Sequence, residues 1–367
     1  MEMPARNHID AVTKLKNNIT TTKFGDKTFE FVPLDIIKKV ASGSNIPQDS
    51  MRLFALAIYC DVSLPDIDIL ITNYKDSDLP FPPQHQLGKG GKLAGSIFET
   101  IRNAQSLFLA AELREQEYMD DFTDRPIPIE FTAGSKPDIG EGSGGKVYKA
   151  KIHKSHFPSL KEVQYSRDWS EELALKVSKF KRDAERERDF LESLAKHHPH
   201  KHITTFYTGF VCDEKIYLVA ELADSDLDGF MNGYHDPKAV RDLDREWLVS
   251  QLTGLSDALA TIHDIMTYHV HDIKPANILM FNNLSIGVKH RLKFTDFGSA
   301  SGQKSDMTGG SVGTKIKGTT PTLPPETHLN GLSSRPHDVW SLGCVFLDIL
   351  IWYHEGWGTL NGFRVVG

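Results

Sequence analysis

An Asp that could accept a hydroxyl proton, an Asn five positions later that could hold a metal ion, and a second Asp further on set the chemistry open to this chain: Asp272, Asn277 and Asp296. They lie in two runs, His271-Asp272-Ile273-Lys274-Pro275-Ala276-Asn277-Ile278-Leu279 and Asp296-Phe297-Gly298. Phosphoryl transfer suits this set, because it needs an oriented attacking oxygen and positive charge on the phosphates rather than covalent chemistry from the protein. Asp-Phe-Gly alone is a tripeptide that any strand-to-turn transition could supply. Both runs in this order leave much less room for accident.

Residues with this chemistry need a phosphate cradle and a cation upstream. Gly140-Glu141-Gly142-Ser143-Gly144-Gly145-Lys146-Val147 fits G-x-G-x-x-G-x-V, and Val147 to Ala150 reads as a strand. A turn folded over phosphates must offer backbone N–H groups with no Cβ in the way. A Walker A loop nearly matches too, but Val147 stands where Ser or Thr is required and a strand follows instead of a helix. Taken alone, the glycines fit a plain flexible turn equally well. Glu172 to Val177 reads as a strand that buries Lys176 among aliphatic residues, which is costly unless an anion faces the ammonium. On the charged helix expected from Lys181 to Lys196, Glu187 shares a face with Leu191 and Leu194. Glu187 is the first choice of partner for Lys176 and Glu185 the second. The competing reading of Glu187 is a solvated surface charge.

Composition bounds the remaining possibilities. With 367 residues, 40% hydrophobic and 25% charged, the chain is a soluble globular type with room for two or three domains. A net charge of -7 gives no sign of a nucleic-acid binder. Cys60, Cys212 and Cys344 are too few and scattered for a disulfide framework or zinc site, so an intracellular location, cytoplasmic or nuclear, is expected. The N-terminus shows no apolar signal segment. The most apolar stretch, Val339 to Tyr353, is too short for a bilayer and interrupted by Asp348, so it reads as a buried helix. Asp120 to Pro128 mixes acids with two prolines and reads as a linker near residue 125. Ahead of it, Ser96 to Tyr118 and Met51 to Tyr59 have helical apolar spacing and Lys27 to Phe31 suggests a short strand. Gly88 to Lys92 lacks phosphate-loop spacing and reads as a loop.

From about residue 130 onward, these pieces resemble a eukaryotic-type protein kinase, most similar to the serine/threonine class. In order come the glycine-rich loop, Ala174-Leu175-Lys176 for V-A-I-K, the helix with Glu187, the two catalytic runs, and Pro324-Pro325-Glu326 for A-P-E. Asp338-Val339-Trp340-Ser341-Leu342-Gly343 resembles the helix whose Asp braces the catalytic loop, and Ile216 to Ala223 the strand entering the hinge. The resemblance implies an α+β fold of two lobes, a small antiparallel β lobe with one helix over residues 126–223 and a helical, incomplete C-lobe over 224–367. A mostly helical region of unknown role, residues 1–125, precedes them. ATP and Mg2+ are the implied cofactors. Asp272 would orient the hydroxyl, Lys274 would steady the transferred phosphoryl group, Lys176 would pair with Glu187, and Asn277 and Asp296 would hold magnesium. Gly140, Glu141, Gly142, Ser143, Gly144, Gly145, Val147, Ala174 and Leu279 would surround the nucleotide, with the backbone of Glu221 and Ala223 against adenine and the small Ala220 behind the pocket. Lys274 and Thr319 favour a protein substrate presenting a Ser or Thr hydroxyl. The N-terminal region is left available to a regulatory protein.

Two departures shape the expectations. H-R-D is replaced by Val270-His271-Asp272, so the Arg that would receive an activation-loop phosphate is a His, which offers only a conditional cation. The hydroxyls of Ser305, Thr308, Ser311 and Thr314 then read as a flexible loop rather than phosphosites. His269 could stand in for the lost side chain at Val270, or be a surface histidine. Secondly, Gly367 follows soon after the helix led by Asp338, so Trp340, Leu342, Val345, Phe346, Leu350 and Trp352 are expected to face an incomplete core. An ATP-dependent protein serine/threonine kinase is the expected function. The alternatives are a nucleotide-binding pseudokinase or scaffold without transfer, and an interaction module acting through residues 1–125.

Overall fold

The computed structural model describes residues 5–366 apart from 25, 43–45, 83–94, 116, 120–121, 124, 133–137, 143–144, 158–164, 167–168, 179–180, 235, 237–242, 266–267, 283–289, 303–321, 326–334. The chain opens with Ala5–Lys16 (α1), a hairpin of Thr20–Phe24 (β1) and Lys27–Phe31 (β2), then Leu34–Ala41 (α2), Met51–Tyr59 (α3), Leu64–Asn73 (α4) and Gly95–Ala104 (α5). In α3 the unbroken run Leu53 to Ile58 is wholly buried. A helix apolar on all sides belongs at a centre, and Leu15, Ile37, Leu70 and Ile101 from its neighbours pack into the same cluster.

The apolar spacing of Ser96 to Tyr118 predicts one helix, but α5 stops at Ala104, a 3-10 turn runs to Phe108, and the chain then extends. Partners outside the segment claim its backbone groups. Arg52 donates to the carbonyls of Phe108 at 2.8 Å and Ala110 at 3.1 Å, Ala111 N donates to Pro126 O, and Leu113 N to His156 O. With those bonds made, Leu109, Ala110, Ala111 and Leu113 are all buried without helical periodicity.

A seven-stranded sheet follows. In chain order its strands are Tyr118–Met119 (β3), Ile129–Phe131 (β4), Asp138–Gly142 (β5), Gly145–Ile152 (β6), then, past a small hairpin of Tyr165–Ser166 (β7) and Trp169–Ser170 (β8), Leu173–Ser178 (β9), Phe206–Cys212 (β10) and Lys215–Ala220 (β11). The spatial order is β3-β10-β11-β9-β6-β4 with β5 on β6, antiparallel except for the β3–β10 pair. Lys181–His197 (α6) packs on β9, β10 and β11. Phe24 of the first hairpin enters this sheet's aromatic cluster, stacking on Phe131 with ring centroids 5.2 Å apart and lying 5.0 Å from Tyr217.

The residues that follow β6 carry buried His153 and His156 against Phe31. His156 Nε2 accepts from Leu34 N at 3.2 Å and its Nδ1 donates to Ala111 O at 3.0 Å, which fixes a neutral ring between the N-terminal region and the sheet. Burial pushes His156 down to about 3 and His202, whose Nδ1 lies 2.7 Å from Leu292 O, to about 4. Below the ordinary 6.5 the unfolded chain binds protons that these rings refuse, so their stability contribution is full above pH 6.5 and falls as pH drops towards 4. Thermal melts at pH 7.5, 6.5, 5.5 and 4.5 should show roughly 1.4 kcal/mol lost per pH unit per ring below 6.5, with His156→Gln halving the slope. A flat melting temperature across that range would refute the assignment.

Beyond the sheet lie Ser225–Asp226 (β12), Leu227–Gly233 (α7), Arg245–Ala260 (α8), Tyr268–His269 (β13), Ile278–Phe281 (β14), Arg291–Phe294 (β15), Ser301–Gly302 (β16) and Arg335–Val366 (α9), the last broken at Gly356. Asp226 and Asp244 cap α7 and α8 through Gly229 N at 2.7 Å and Trp247 N at 2.8 Å. After Ala260 the chain leaves the α8 geometry and continues as one π turn, Thr261–Ile265. Of the six α9 residues expected to lack cover, Leu342, Val345 and Trp352 are buried in the main core, and Trp352 Nε1 donates to Tyr234 O at 2.9 Å. Trp340 and Leu350 are exposed, together with Val339 and Leu347, and Phe346 is half-buried. Among the described residues no helix is long and apolar enough to cross a membrane.

Candidate active site

Three charged residues from three elements meet where β9, α6 and the turn after β15 converge. Alternation in β9 points Leu173 and Leu175 into the sheet core and Lys176 to the other face. Lys176 Nζ lies 2.7 and 2.6 Å from the two oxygens of Glu187 and 2.8 Å from Asp296 Oδ1. Glu187, not the second choice Glu185, meets Lys176, because Glu187 is the residue on the buried face of α6. Burial alone would favour a neutral amine, yet Glu187 and Asp296 together hold the Lys176 ammonium above its ordinary range. Burial, with Asp296 adding to it, raises Glu187 against the pull of Lys176. Burial also opposes ionisation of Asp296, but Lys176, the Gly298 N–H and Lys274 outweigh it and hold that carboxyl low. Asp296 is therefore an anion at neutral pH, and the triad of one cation and two carboxylates has room for added positive charge.

The second group is carried by the segment between β13 and β14. Asp272 Oδ2 accepts from Lys274 Nζ at 2.7 Å and from Asn277 Nδ2 at 3.0 Å, and Asn277 Nδ2 also donates to Asp272 O at 2.9 Å. This turns the Asn277 amide nitrogen towards Asp272 and leaves its oxygen for a hard cation. Thr295 N donates to Asn277 O at 3.0 Å, so the residue before Asp296 is tied to Asn277. An amide oxygen and a low-pKa carboxylate fit magnesium, which takes few protein oxygens and keeps its waters.

Left-handed backbone occurs at both runs, at His271 (φ 68°) and Asp296 (φ 59°). Such strain persists only where surroundings over-determine it. Asp338 of α9 supplies the restraint: its Oδ1 accepts from His271 N at 2.8 Å, and its Oδ2 from Val270 N at 2.8 Å while pairing with His263 Nε2 at 2.7 Å. The His263, His269 and Asp338 ligand atoms lie within 4.8 Å of one another, but both Asp338 oxygens already have these partners, so the cluster is a brace. His269 is half-buried beside it, with its ring 5.6 Å from that of His271. Val270, which replaces a polar side chain, packs in the core cluster with Phe297.

The glycine-rich segment forms the hairpin of β5 and β6, pairing Gly140 with Val147, Glu141 with Lys146 and Gly142 with Gly145. Gly145 has φ 148° and a Cβ there would meet Val177 O at 2.2 Å, so no other residue fits. Val147 faces Lys176 across β6–β9, Ala174 pairs with Ala220 on β11, and Leu279 with Lys293 across β14–β15. Ser143, Gly144, Thr319, Glu326 and the loop hydroxyls Ser305, Thr308, Ser311 and Thr314 lie outside the described residues. The Glu221 N–H, expected from the resemblance to face adenine, is instead bonded to Thr205 O at 3.1 Å. Its side chain turns back, accepting from Thr205 N at 2.6 Å and Lys293 Nζ at 2.5 Å. Lys293, Thr205 and His263 are the supporting residues that sequence reasoning missed. The only signal was a lysine inside the strand that leads to Asp296, since the other partners are remote in sequence.

The protein kinase domain family matches residues 134–355, more than half of the chain. The chain is 28% identical to Aurora kinase of Schizosaccharomyces pombe over 214 residues, covering 58% of this chain and 52% of that protein. It is 29% identical to Aurora kinase C of Mus musculus over 223 residues, 58% and 67% of the two, and 30% identical to cyclin-dependent kinase G1 of Arabidopsis thaliana over 278 residues, 71% and 41%. The chain thus spans about half the length of the first of these relatives. With its two lobes and the converging charged residues between them, this chain belongs to the protein kinase domain family.

Proposed function

We propose that the chain is an ATP-dependent protein serine/threonine kinase that transfers the γ-phosphoryl group of Mg-ATP to hydroxyls of a protein substrate. The observation that carries this reading is Lys176 held between Glu187 and Asp296, opposite an Asp272 that is itself fixed by Lys274 and Asn277. Lys176 binds the nucleotide phosphates from the β9 side, and Glu187 keeps its chain extended. Asp272 accepts a hydrogen bond from the acceptor hydroxyl and orients its oxygen. Lys274, already beside Asp272, places a cation where charge builds on the transferred group. Bound magnesium, held by Asn277 and Asp296, would neutralise phosphate charge. Residues Gly140 to Val147 cover the phosphates, while Ala174, Leu279 and the Glu221 to Ala223 backbone border the base. Thr319, outside the described residues, is read from the sequence as favouring a Ser or Thr acceptor. Residues 126–223 are read as the nucleotide lobe, 224–367 as part of the acceptor lobe, and 1–125 as a unit that could receive a regulatory protein. Among the described residues Cys60, Cys212 and Cys344 form no disulfide, which supports an intracellular site, cytoplasmic or nuclear.

The test is magnesium-dependent transfer from ATP to a generic basic protein, with Asp272→Asn beside the parent. Transfer is expected in the parent and a loss of about 10²-fold or more in the variant. A soluble, ATP-binding parent without transfer would leave the pseudokinase reading instead.

A further inference from the structure

We infer that residues 117–119, ahead of the matched domain, are positioning residues for phosphoryl transfer, holding α6 and its Glu187 against the sheet edge; the inference rests on the role given above to Glu187. The strand β3 is only two residues long, yet its backbone serves two elements. Towards the sheet, Gly209 N and Thr208 Oγ1 both donate to Glu117 O, at 3.1 and 3.0 Å, in a parallel register that sets Gly209 opposite Tyr118 and Phe210 opposite Met119. Towards the helix, Tyr118 N donates to Glu192 Oε1 at 2.8 Å. Simple cover for a sheet edge would need only the first set; the second fastens α6 to β10.

Side chains repeat the same bridge. The Arg188 guanidinium lies 4.9 Å from the centroid of the Tyr118 ring, a cation–π distance. Arg188 and Glu192 are four apart, one above the other on a flank of α6, and Arg188 directly follows Glu187. Gly209 is the matching notch: a Cβ there would stand 2.7 Å from Tyr118 Cδ2. Further along, Phe122 N donates to Val211 O at 2.8 Å and Asp213 N to Thr123 Oγ1 at 3.0 Å, so these two residues are also tied to the end of β10. On the inner side α6 is held by Phe190 stacked 4.2 Å from Phe297. Two opposed anchors therefore set where Glu187 stands. Loosening the outer one lets α6 drift and lengthens the Glu187 to Lys176 contact, which lowers the rate of transfer and leaves acceptor binding alone.

The full chain is compared with Tyr118→Ala, Gly209→Ala and Tyr118→Phe by backbone hydrogen exchange over 181–197 and by steady-state transfer. In the first two variants exchange should quicken about tenfold and kcat fall about tenfold at unchanged acceptor KM. Tyr118→Phe keeps ring and backbone and should behave as the parent. Phe98→Ala, which opens the separate N-terminal cluster, controls for general loosening: it should lower the melting temperature without changing exchange over 181–197. Parental exchange and kcat in both Tyr118→Ala and Gly209→Ala would overturn the inference, as would equal quickening in Phe98→Ala. Should the first two variants not fold, Glu192→Gln keeps the packing and weakens only the bond to Tyr118 N; about threefold faster exchange supports the inference and none overturns it. If the parent transfers no phosphate, the proposed function falls, while the exchange comparison still decides whether the segment positions α6.

Discussion

Lys176→Met should lower transfer by about 10²–10³-fold, because it removes a fixed cation from a site where charge spreads over phosphoryl oxygens. The loss should appear in kcat measured at saturating ATP, since phosphates can still be held by backbone and metal. The same change should destabilise the fold. Glu187 is 5% exposed and loses the ammonium that sits 2.6 Å from it. Removing one partner of a buried pair costs about 3–5 kcal/mol when the other charge stays. Glu187 escapes part of this by taking up a proton, since burial already raises it above the ordinary 4.5. In the variant, the folded state then holds more protons than the unfolded state between 4.5 and the raised value, so its stability falls as pH rises through that window. Denaturation of parent and variant from pH 5 to 8 should show a penalty that shrinks towards pH 5. A penalty independent of pH would mean that Glu187 is not the residue left exposed to the loss.

Asp338→Asn should be nearly as damaging, through geometry rather than charge transfer. Asp338 is 1% exposed and answers three donors, Val270 N, His271 N and His263 Nε2. An amide offers one acceptor oxygen, so its NH2 must face at least one N–H that the carboxylate satisfied. Each buried donor left in that position costs about 1–3 kcal/mol, which gives a loss of roughly 2–5 kcal/mol in urea denaturation. His271 at φ 68° relies on one of these bonds. Once it relaxes, Asp272 moves with its neighbour, and transfer should fall even at temperatures where the variant is folded. Full activity in a folded Asp338→Asn protein would show that the catalytic segment holds its own shape.

What the sequence reveals and what it hides can be separated by the range of each interaction. The strand with Lys176, the helix with Glu187 and the two catalytic runs are legible because local spacing and residue type specify them. The end of α5 was not, because Arg52 and His156 claim the backbone of residues 108–113 from far along the chain. The same applies to Glu221 with Lys293, 72 positions apart, and to His263 with Asp338, 75 apart. The burial of His153 and His156 leaves no local sign in the sequence because their apolar partner, Phe31, lies more than a hundred positions upstream. The stripe Val339, Trp340, Leu347 and Leu350 shows the converse limit. An apolar run predicts a helix well, but which of its faces is covered depends on what else packs there.

Phe24 finishes a cluster whose other rings, Phe131, Phe210 and Tyr217, are made much later by the ribosome. At about 5–20 residues per second, the 193 residues from Phe24 to Tyr217 take roughly 10–40 s to synthesise. The helices around α3 can collapse in that interval from contacts of their own, but the hairpin β1–β2 waits with an aromatic side turned outward. The nascent chain therefore carries a sticky, half-built surface until β10 and β11 emerge, and its demand for chaperones should peak in that span and end with them.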